Sequence, residues 1–207
     1  MRTVVIASRN QGKIVEIREI FRNLPVEFRS LSDFSDAPEV VEDGTTFAEN
    51  SRKKAREVAR FTGLWALADD SGLEVDALEG RPGIHSARWA GGGDEENNDR
   101  LLRELQDVPM KKRGARYRAH IAIADPEGNI LSESEGACEG RIGFERKGSG
   151  GFGYDPLFFV PEFNCMMAEV SSERKNRISH RGQALEILRT EMGSILNPGL
   201  SQDSGRY

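Results

Sequence analysis

The sequence predicts an α/β fold, and three observations support this. A β-branched apolar run at Thr3–Ala7 leads through a polar turn into a helical pattern that extends to about Arg22. Further apolar runs alternate with helical patterns along the chain. Residues 116–142 then contain two alternating strands joined by a turn. The 207 residues are therefore expected to form one large domain or two closely joined lobes, with an antiparallel addition to an α/β start.

Composition argues against several classes of protein. A hydrophobic content of 37% with 30% charged residues is typical of a soluble globular protein. The net charge of −5 argues against general nucleic-acid binding, which needs a basic surface. No apolar run approaches the ~20 residues of a membrane span, and residues 1–7 are too short for a signal peptide. Two cysteines are too few for a disulfide framework, so we expect a cytoplasmic protein.

Local patterns predict the remaining elements. A capping pattern at Thr46–Glu49 starts a helix over Phe47 to about Thr62, and Gly63 ends it. We expect a short strand at 26–31 and an acidic loop at 32–44, then helices at 94–106 and from about 180, and strands at 130–142 and 157–160. Residues 1–196 form the expected domain, and 197–207 are expected to be a mobile tail.

Two adjacent carboxylates, Asp69 and Asp70, follow an apolar strand at Trp65–Ala68. Ser71–Gly72 is expected to turn the chain into a second short strand. Ligands bind at strand ends in open α/β sheets, and adjacent acids repel unless a cation lies between them. Mg²⁺ prefers carboxylate and phosphate oxygens. The stretch therefore indicates a Mg²⁺ site for phosphate chemistry, with a solvated turn as the alternative.

Residues 8–13 form a polar turn between the first strand and the first helix. Free backbone N–H groups and the helix dipole favour an anion there, and Lys13 adds a full charge. The alternative is ordinary helix capping by Asn10. Acids of the acidic loop could reach a metal from across the cleft, and one of the lysines at 53–54 could lean over it. Solvated charges are the alternative for both.

A glycine-rich loop at 148–156 offers groups that suit a nucleobase. Phe152 and Tyr154 present aromatic faces, and Asp155 presents a polar contact for a base edge. The alternative is a flexible glycine loop. Farther along, His180 and Arg181 start the last helix, where the dipole disfavours cations. This placement indicates an anionic partner, with exposure to water as the alternative.

Taken together, these motifs resemble the inosine/xanthosine triphosphate pyrophosphatase family, the XTP/dITP diphosphatases. The resemblance spans Thr3 to about Leu196, and the loop at 82–88 also fits. Departures are small: Arg9 stands where the family often has glycine, and Ser51 where it often has alanine. The matching blocks, in order, are Ser8-x-Asn10-x-x-Lys13, Thr46-Phe47-x-Glu49-Asn50 with Lys54, Ala68-Asp69-Asp70-Ser71-Gly72-Leu73, Gly151-Phe152-Gly153-Tyr154-Asp155-Pro156 and Ser179-His180-Arg181-Gly182.

The resemblance implies a fold and a reaction. The implied fold is an elongated mixed β-sheet with flanking helices, two lobes around a central cleft, and a homodimeric assembly. The implied reaction is Mg²⁺-dependent hydrolysis of ITP, dITP and XTP to the monophosphate and pyrophosphate, which removes these small molecules from the nucleotide pool. No partner nucleic acid or membrane is expected.

The resemblance also implies roles for individual residues. Asp70 would accept the proton of the attacking water, and Glu42 and Asp70 would hold Mg²⁺ with Asp69 nearby. A 6-oxo group on the base would be selected, because a site built to hydrogen-bond it leaves polar atoms unpaired when a 6-amino purine enters. The implied substrate-binding residues are Ser8, Arg9, Asn10, Gln11, Gly12, Lys13, Lys54, Ser71, Phe152, Gly153, Tyr154, Asp155, Lys175, His180 and Arg181.

Two other functions stay open at this point. A pyrophosphatase acting on dUTP, dTTP or modified pyrimidines would carry a similar acidic site. A nucleotide-binding module without turnover is the second alternative, although it has little need of an extra base beside a metal. No covalent nucleophile with an adjacent base is evident in the sequence, so direct attack by water is the simpler mechanism.

Overall fold

The computed structural model describes residues 1–196, so the tail expected at 197–207 lies outside the described residues. In the described part, no helix is long and apolar enough to cross a membrane. The strands are β1 (Arg2–Ile6), β2 (Val26–Ser30), β3 (Trp65–Val75), β4 (Gly114–Ala124), β5 (Ile130–Ile142), β6 (Phe158–Val160) and β7 (Cys165–Met166). The helices are α1 (Gln11–Ile20), α2 (Phe47–Thr62), α3 (Asp94–Glu104), α4 (Ser172–Ile178) and α5 (His180–Leu196).

The strands form a mixed sheet in the order β2-β1-β3-β4-β5-β6-β7. β1 pairs in parallel with β2 and β3, whereas every pairing from β3 to β7 is antiparallel. The predicted α/β start with an antiparallel addition is therefore confirmed. β3 and β4 have 11 residues each and β5 has 13, so the middle of the sheet is long.

The turn predicted at Ser71–Gly72 is wrong. β3 continues through both residues, which pair with Ala119 and Arg118 of the antiparallel β4. Glycine is needed here because a Cβ at position 72 would overlap the carbonyl oxygen of Gly83. The turn-like composition therefore reflects the close approach of a loop to the strand, not a reversal of the chain.

Helices cover both faces of the sheet. On one face α1 and α5 pack Ile17 and Leu188 into a buried cluster with Leu67 of β3. On the other face α2 packs Val58 into a cluster with small residues such as Ala68. Burying apolar surface on both faces is the main stabilising contribution of such a layered fold.

The middle of β3 separates two hydrophobic clusters. Leu67 belongs to the cluster under α1 and α5, whereas Leu73 belongs to one that includes Leu101 of α3 and Phe158 of β6. The polar residues 69–72 lie between them. The two hydrophobic clusters thus lie on either side of a polar segment in the middle of β3, and the cleft lies beside this segment.

The predicted bounds of α2 are confirmed, and one face of this helix contacts β3. The Thr46 hydroxyl accepts a hydrogen bond from the backbone N–H of Glu49 at 3.1 Å, and Gly63 follows the last turn with φ of 65°. Asn50 and Lys54 lie one turn apart on the face toward β3.

Candidate active site

Asp69 and Asp70 point to opposite faces of β3, because side chains alternate along a strand. Asp69 contacts Lys13 of α1 and Arg181 of α5. Asp70 contacts Asn50 of α2. The adjacent carboxylates therefore have separate side-chain partners within the protein.

Asp69 is bound from three directions. Its Oδ1 accepts hydrogen bonds from Lys13 Nζ at 2.5 Å and from the Ser71 hydroxyl at 2.8 Å. Its Oδ2 accepts from Arg181 Nε at 2.9 Å. Burial alone raises the pKa of Asp69, but the charges of Arg181 and Lys13 outweigh it and hold the pKa well below its usual range. Asp69 thus organises the cations of α1 and α5.

Asp70 has a less compensated environment. Asn50 Nδ2 donates to its Oδ2 at 3.0 Å, and Asn50 Oδ1 accepts from the backbone N–H of Gly44 at 2.8 Å. Lys54 Nζ lies 3.9 Å from the other carboxylate oxygen. Burial raises the pKa of Asp70 above its usual value in spite of the nearby lysine charges. One oxygen of Asp70 is therefore fixed by an amide, while the other lies beside the Lys54 ammonium, and the carboxylate itself is buried.

The ammonium group of Lys54 lies among oxygen atoms from three residues. It donates to the Glu42 carboxylate and, at 3.0 Å, to the backbone carbonyl of Asp69, beside the more distant Asp70. Glu42 also accepts from Arg88 at 3.1 Å. Burial tends to raise the pKa of Glu42, but Lys54 and Arg88 lower it overall. Of the acids in the acidic loop, Glu42 is thus brought next to the β3 carboxylates.

The polar turn before α1 borders the same region. Asn10 Oδ1 accepts from the backbone N–H of Lys13 at 3.1 Å, so the alternative of ordinary capping is present. Ser8 accepts from the N–H of Asn10 at 3.1 Å, and Arg9 donates to a backbone carbonyl of the acidic loop at 2.9 Å. Gln11 begins α1. The Lys13 ammonium reaches the cleft floor, and anion binding by this turn stays a prediction.

Ion pairs continue from Arg181 toward the glycine-rich loop. Arg181 donates to Glu16 at 2.6 Å, and Lys175 Nζ lies 2.9 Å from Glu16 and 2.7 Å from Asp155. The Tyr117 hydroxyl donates to Asp155 at 3.2 Å. Burial alone lowers the pKa of Lys175, but Asp155 and Glu16 raise it overall. The anionic partner expected for Arg181 is therefore found within the protein.

Aromatic rings line the end of the cleft beside these ion pairs. A Cβ on Gly12 would lie 2.5 Å from the Phe152 ring, so glycine is required for that ring to pack on α1. Tyr154 is 3% exposed and donates to a backbone carbonyl at 2.8 Å, which places most of it in the core.

His180 stacks on Tyr117 with ring centroids 4.7 Å apart. Burial, and next the charge of Arg181, lower its pKa well below the usual value, so the imidazole is neutral. Its Nδ1 has no hydrogen-bond partner within residues 1–196. A neutral ring with an unpaired nitrogen suits recognition of a polar base edge.

The cleft has two adjoining parts, and Asn10, Lys13 and Ala87 line both of them. The aromatic part is also lined by Ser71, Asp94, Phe152, Gly153, Tyr154, Asp155, Lys175, His180 and Arg181, among others. The acidic part is also lined by Ser8, Arg9, Glu42, Lys54 and Arg88, among others. The structure thus groups almost all of the predicted binding residues around one cleft, with Gln11 and Gly12 in the first turn of α1 behind it.

Sequence reasoning missed several residues that support the site. Glu16 joins Arg181 to Lys175, and its spacing of three from Lys13 on one helix was the available signal. Asn97 and Asn98 of α3 are each 2% exposed and bind loops at the cleft. Two buried amides in a polar helical stretch leave no comparable signal in the sequence.

Comparison with known proteins decides the family. The model of the Ham1 family matches residues 4–191. The chain belongs to the Ham1 family. A Geobacter sulfurreducens protein named dITP/XTP pyrophosphatase is 52% identical over 195 residues, which cover 93% of this chain and 98% of that protein. A Desulforamulus reducens protein of the same name is 53% identical over 185 residues, covering 88% and 92% of the two chains.

Solved structures of Ham1 proteins share the fold. A HAM1 protein from Coxiella burnetii superposes with a TM-score of 0.84 at 41% identity, covering 94% of this chain and 100% of that one. The Ham1 protein of Staphylococcus aureus gives a TM-score of 0.82 at 38% identity with the same coverage. Both the family resemblance and the fold class expected from the sequence are confirmed.

Proposed function

We propose that this Ham1 family member hydrolyses the triphosphates of deaminated purines, ITP, dITP and XTP, to the monophosphate and pyrophosphate. The observation that carries the proposal is the two-part cleft, in which carboxylates and lysines adjoin an aromatic pocket. Relatives at 52% and 53% identity that are named dITP/XTP pyrophosphatase support the substrate class. Such an enzyme removes these nucleotides from the pool.

The oxygen atoms around Lys54 fit a divalent cation. Hard cations such as Mg²⁺ bind carboxylate and carbonyl oxygens, and usually keep only one or two carboxylates when substrate phosphates are present. Within residues 1–196, no group of three or more acidic, His or Cys side chains could hold a metal alone. Glu42 and Asp70 would hold Mg²⁺, which when bound stabilises charge on the phosphates and lowers the pKa of water. The Asp69 carboxylate already accepts three hydrogen bonds, which favours an organising role over the predicted ligand role.

The cleft also supplies charge for a triphosphate. A triphosphate carries about four negative charges near neutral pH, and phosphoryl transfer depends on positioning and charge neutralisation. Lys13 and Lys54 border the acidic part of the cleft, at the N-terminus of α1 and on α2. They would bind the phosphates, with the N–H groups of the turn at 8–11 beside them.

Asp70 would accept a proton from the attacking water. Asn50 holds one of its oxygens, and the other lies 3.9 Å from the ammonium of Lys54, a residue that lines the acidic part of the cleft. General-base catalysis of this kind contributes about 10²–10⁴-fold. Asp70→Asn should therefore lower kcat for ITP by at least about that factor. Unchanged turnover would remove Asp70 from this role.

Base selection would occur in the aromatic part. Phe152 offers a ring face, and His180 offers a neutral nitrogen without a protein partner among the described residues. A 6-amino purine would leave a polar group of this buried site unpaired, which is a strong basis for discrimination. ATP is therefore expected to be a poor substrate.

The deciding experiment is pyrophosphate release from ITP, XTP, GTP, ATP and dUTP, each with and without Mg²⁺. Mg²⁺-dependent release from ITP and XTP with ATP spared supports the proposal. Activity confined to dUTP would instead indicate a pyrimidine pyrophosphatase, and no release from any of them would leave a nucleotide-binding module.

Two further expectations belong to this proposal. From the family resemblance we expect a homodimer located in the cytoplasm, acting on small-molecule nucleotides. Sedimentation at micromolar concentration distinguishes a dimer from a monomer, and cell fractionation tests the location.

A further inference from the structure

Helix α3 holds Gly153 of the glycine-rich loop by both of its backbone polar groups. The carboxylate of Asp94 accepts from the Gly153 N–H at 2.6 Å. Asn98 Nδ2 donates to the Gly153 carbonyl at 2.8 Å, and to the Asp94 carbonyl at 2.7 Å. A loop residue whose N–H and C=O both bind one helix has little freedom to move relative to it.

Gly153 is the residue directly after Phe152, so this contact fixes the aromatic wall of the cleft. The Phe152 ring packs on Gly12 of α1, and the Phe152 N–H donates to Asp155 at 3.1 Å. The ring is therefore held by α1 on one side and through Gly153 by α3 on the other. Displacing Gly153 would move the ring that faces a bound base.

The preceding residue of α3 holds a second segment of the cleft lining, in which Ala87 borders both parts and Arg88 borders the acidic part. Asn97 Oδ1 accepts from the backbone N–H of Ala90 at 2.8 Å, and its Nδ2 donates to the Ala87 carbonyl at 3.2 Å. Arg88 lies between these two anchor points and donates to Glu42, whose carboxylate it contacts at 3.1 Å. Asn97 therefore fixes the loop that reaches the acidic part of the cleft.

We infer that the consecutive Asn97 and Asn98 are positioning residues that set the two halves of nucleotide binding separately. Asn98 positions the wall for the base, and Asn97 positions the wall for the phosphates. Both side chains are 2% exposed, so their loss leaves backbone polar groups unpaired at the cleft. The inference rests on the proposed function and adds a division of labour to it.

The test compares Asn98→Ala with Asn97→Ala, which remove the same atoms from adjacent, equally buried positions. Inhibition of ITP hydrolysis is measured with inosine monophosphate and with pyrophosphate, together with kcat and KM. Asn98→Ala should raise the inhibition constant of inosine monophosphate about fivefold to tenfold, the loss expected for one or two hydrogen bonds. The inhibition constant of pyrophosphate should stay within about twofold of the wild-type value. Asn97→Ala should show the opposite pattern.

A purely structural role would give a different result. The proposed division between Asn97 and Asn98 is refuted if both variants raise both inhibition constants equally. It is also refuted if neither variant changes either inhibition constant. Should Asn98→Ala fail to fold, as judged by its thermal transition, Asp94→Ala removes the exposed arm of the same Gly153 contact. This variant is expected to raise the inhibition constant of inosine monophosphate but not that of pyrophosphate. An unchanged inhibition constant for inosine monophosphate would refute the inference. Failure of the wild-type protein to hydrolyse ITP would instead contradict the proposed function.

Discussion

Replacing Arg181 with methionine tests whether the buried ion pairs hold the two sides of the cleft together. The side chain of Arg181 is 3% exposed and donates to Asp69, Glu16 and Ser71 at 2.9, 2.6 and 2.7 Å. Arg181→Met keeps much of the apolar volume but leaves two buried carboxylates with one cation fewer.

The expected loss follows from what each carboxylate keeps. Breaking a buried ion pair by removing one partner typically costs about 3–5 kcal/mol. Asp69 keeps Lys13 at 2.5 Å, and Glu16 keeps Lys175 at 2.9 Å, so neither becomes fully unpaired. We therefore expect Arg181→Met to lower the free energy of unfolding by about 3 kcal/mol, the lower end of that range. For a domain of this size that corresponds to about 6–12 °C in Tm.

Urea and thermal unfolding near neutral pH measure the loss, with Arg189→Met as the matched control. Arg189 pairs with Glu186 on the exposed face of α5, so its removal should change stability by no more than about 0.5 kcal/mol. Because the folded pKa of Asp69 is lowered, its contribution is complete above the unfolded pKa of about 3.9 and is lost as the pH falls. The difference in the free energy of unfolding between Arg181→Met and the wild type should therefore become smaller at acidic pH. A loss for Arg181→Met no larger than that for the control would refute the reasoning.

Three further predictions follow from single contacts. Burial lowers the folded pKa of His180 below its unfolded value of about 6.5, so its contribution to the free energy of unfolding is fully present above that pH and is lost as the pH falls. The midpoint of urea unfolding should therefore depend less on pH in His180→Phe than in the wild type. Lys54→Met should strengthen Mn²⁺ binding to the nucleotide-free protein severalfold by calorimetry, because the ammonium no longer competes for the same oxygens. Lys53→Met, whose side chain pairs elsewhere, should leave Mn²⁺ affinity unchanged, and equal effects would contradict the assignment. Gly12→Ala should raise KM for ITP more than it lowers kcat, because the added methyl group displaces the Phe152 ring; an unchanged KM would count against the aromatic wall.

Much of the fold could be predicted from the sequence because its signals are local. The capping pattern around Thr46 and the stop at Gly63 gave the bounds of α2, and strand periodicity gave the antiparallel pair β4–β5. The error at Ser71–Gly72 has the same origin. Glycine after serine is a local turn signal, whereas the reason for glycine here is a contact with a loop 11 residues farther along the chain.

The sequence by itself predicted most of the polar and aromatic residues that line the cleft, together with their order along the chain. It also placed the protein in its family, because the ordered motifs stay readable without coordinates. It could not show that Asp69 and Asp70 have different partners. That follows from strand alternation combined with helix packing, which brings Lys13 and Arg181 to one face of β3 and Asn50 to the other.

Only the tertiary structure decided the partners of each charge. Arg181 lies 112 residues from Asp69 and 165 from Glu16, so no local spacing reports either pair. Packing α1 and α5 on the same face of the sheet removes these charges from water, and burial then requires each charge to be paired. The physical reason is that desolvation acts on the assembled core, while sequence patterns report only the neighbours along the chain.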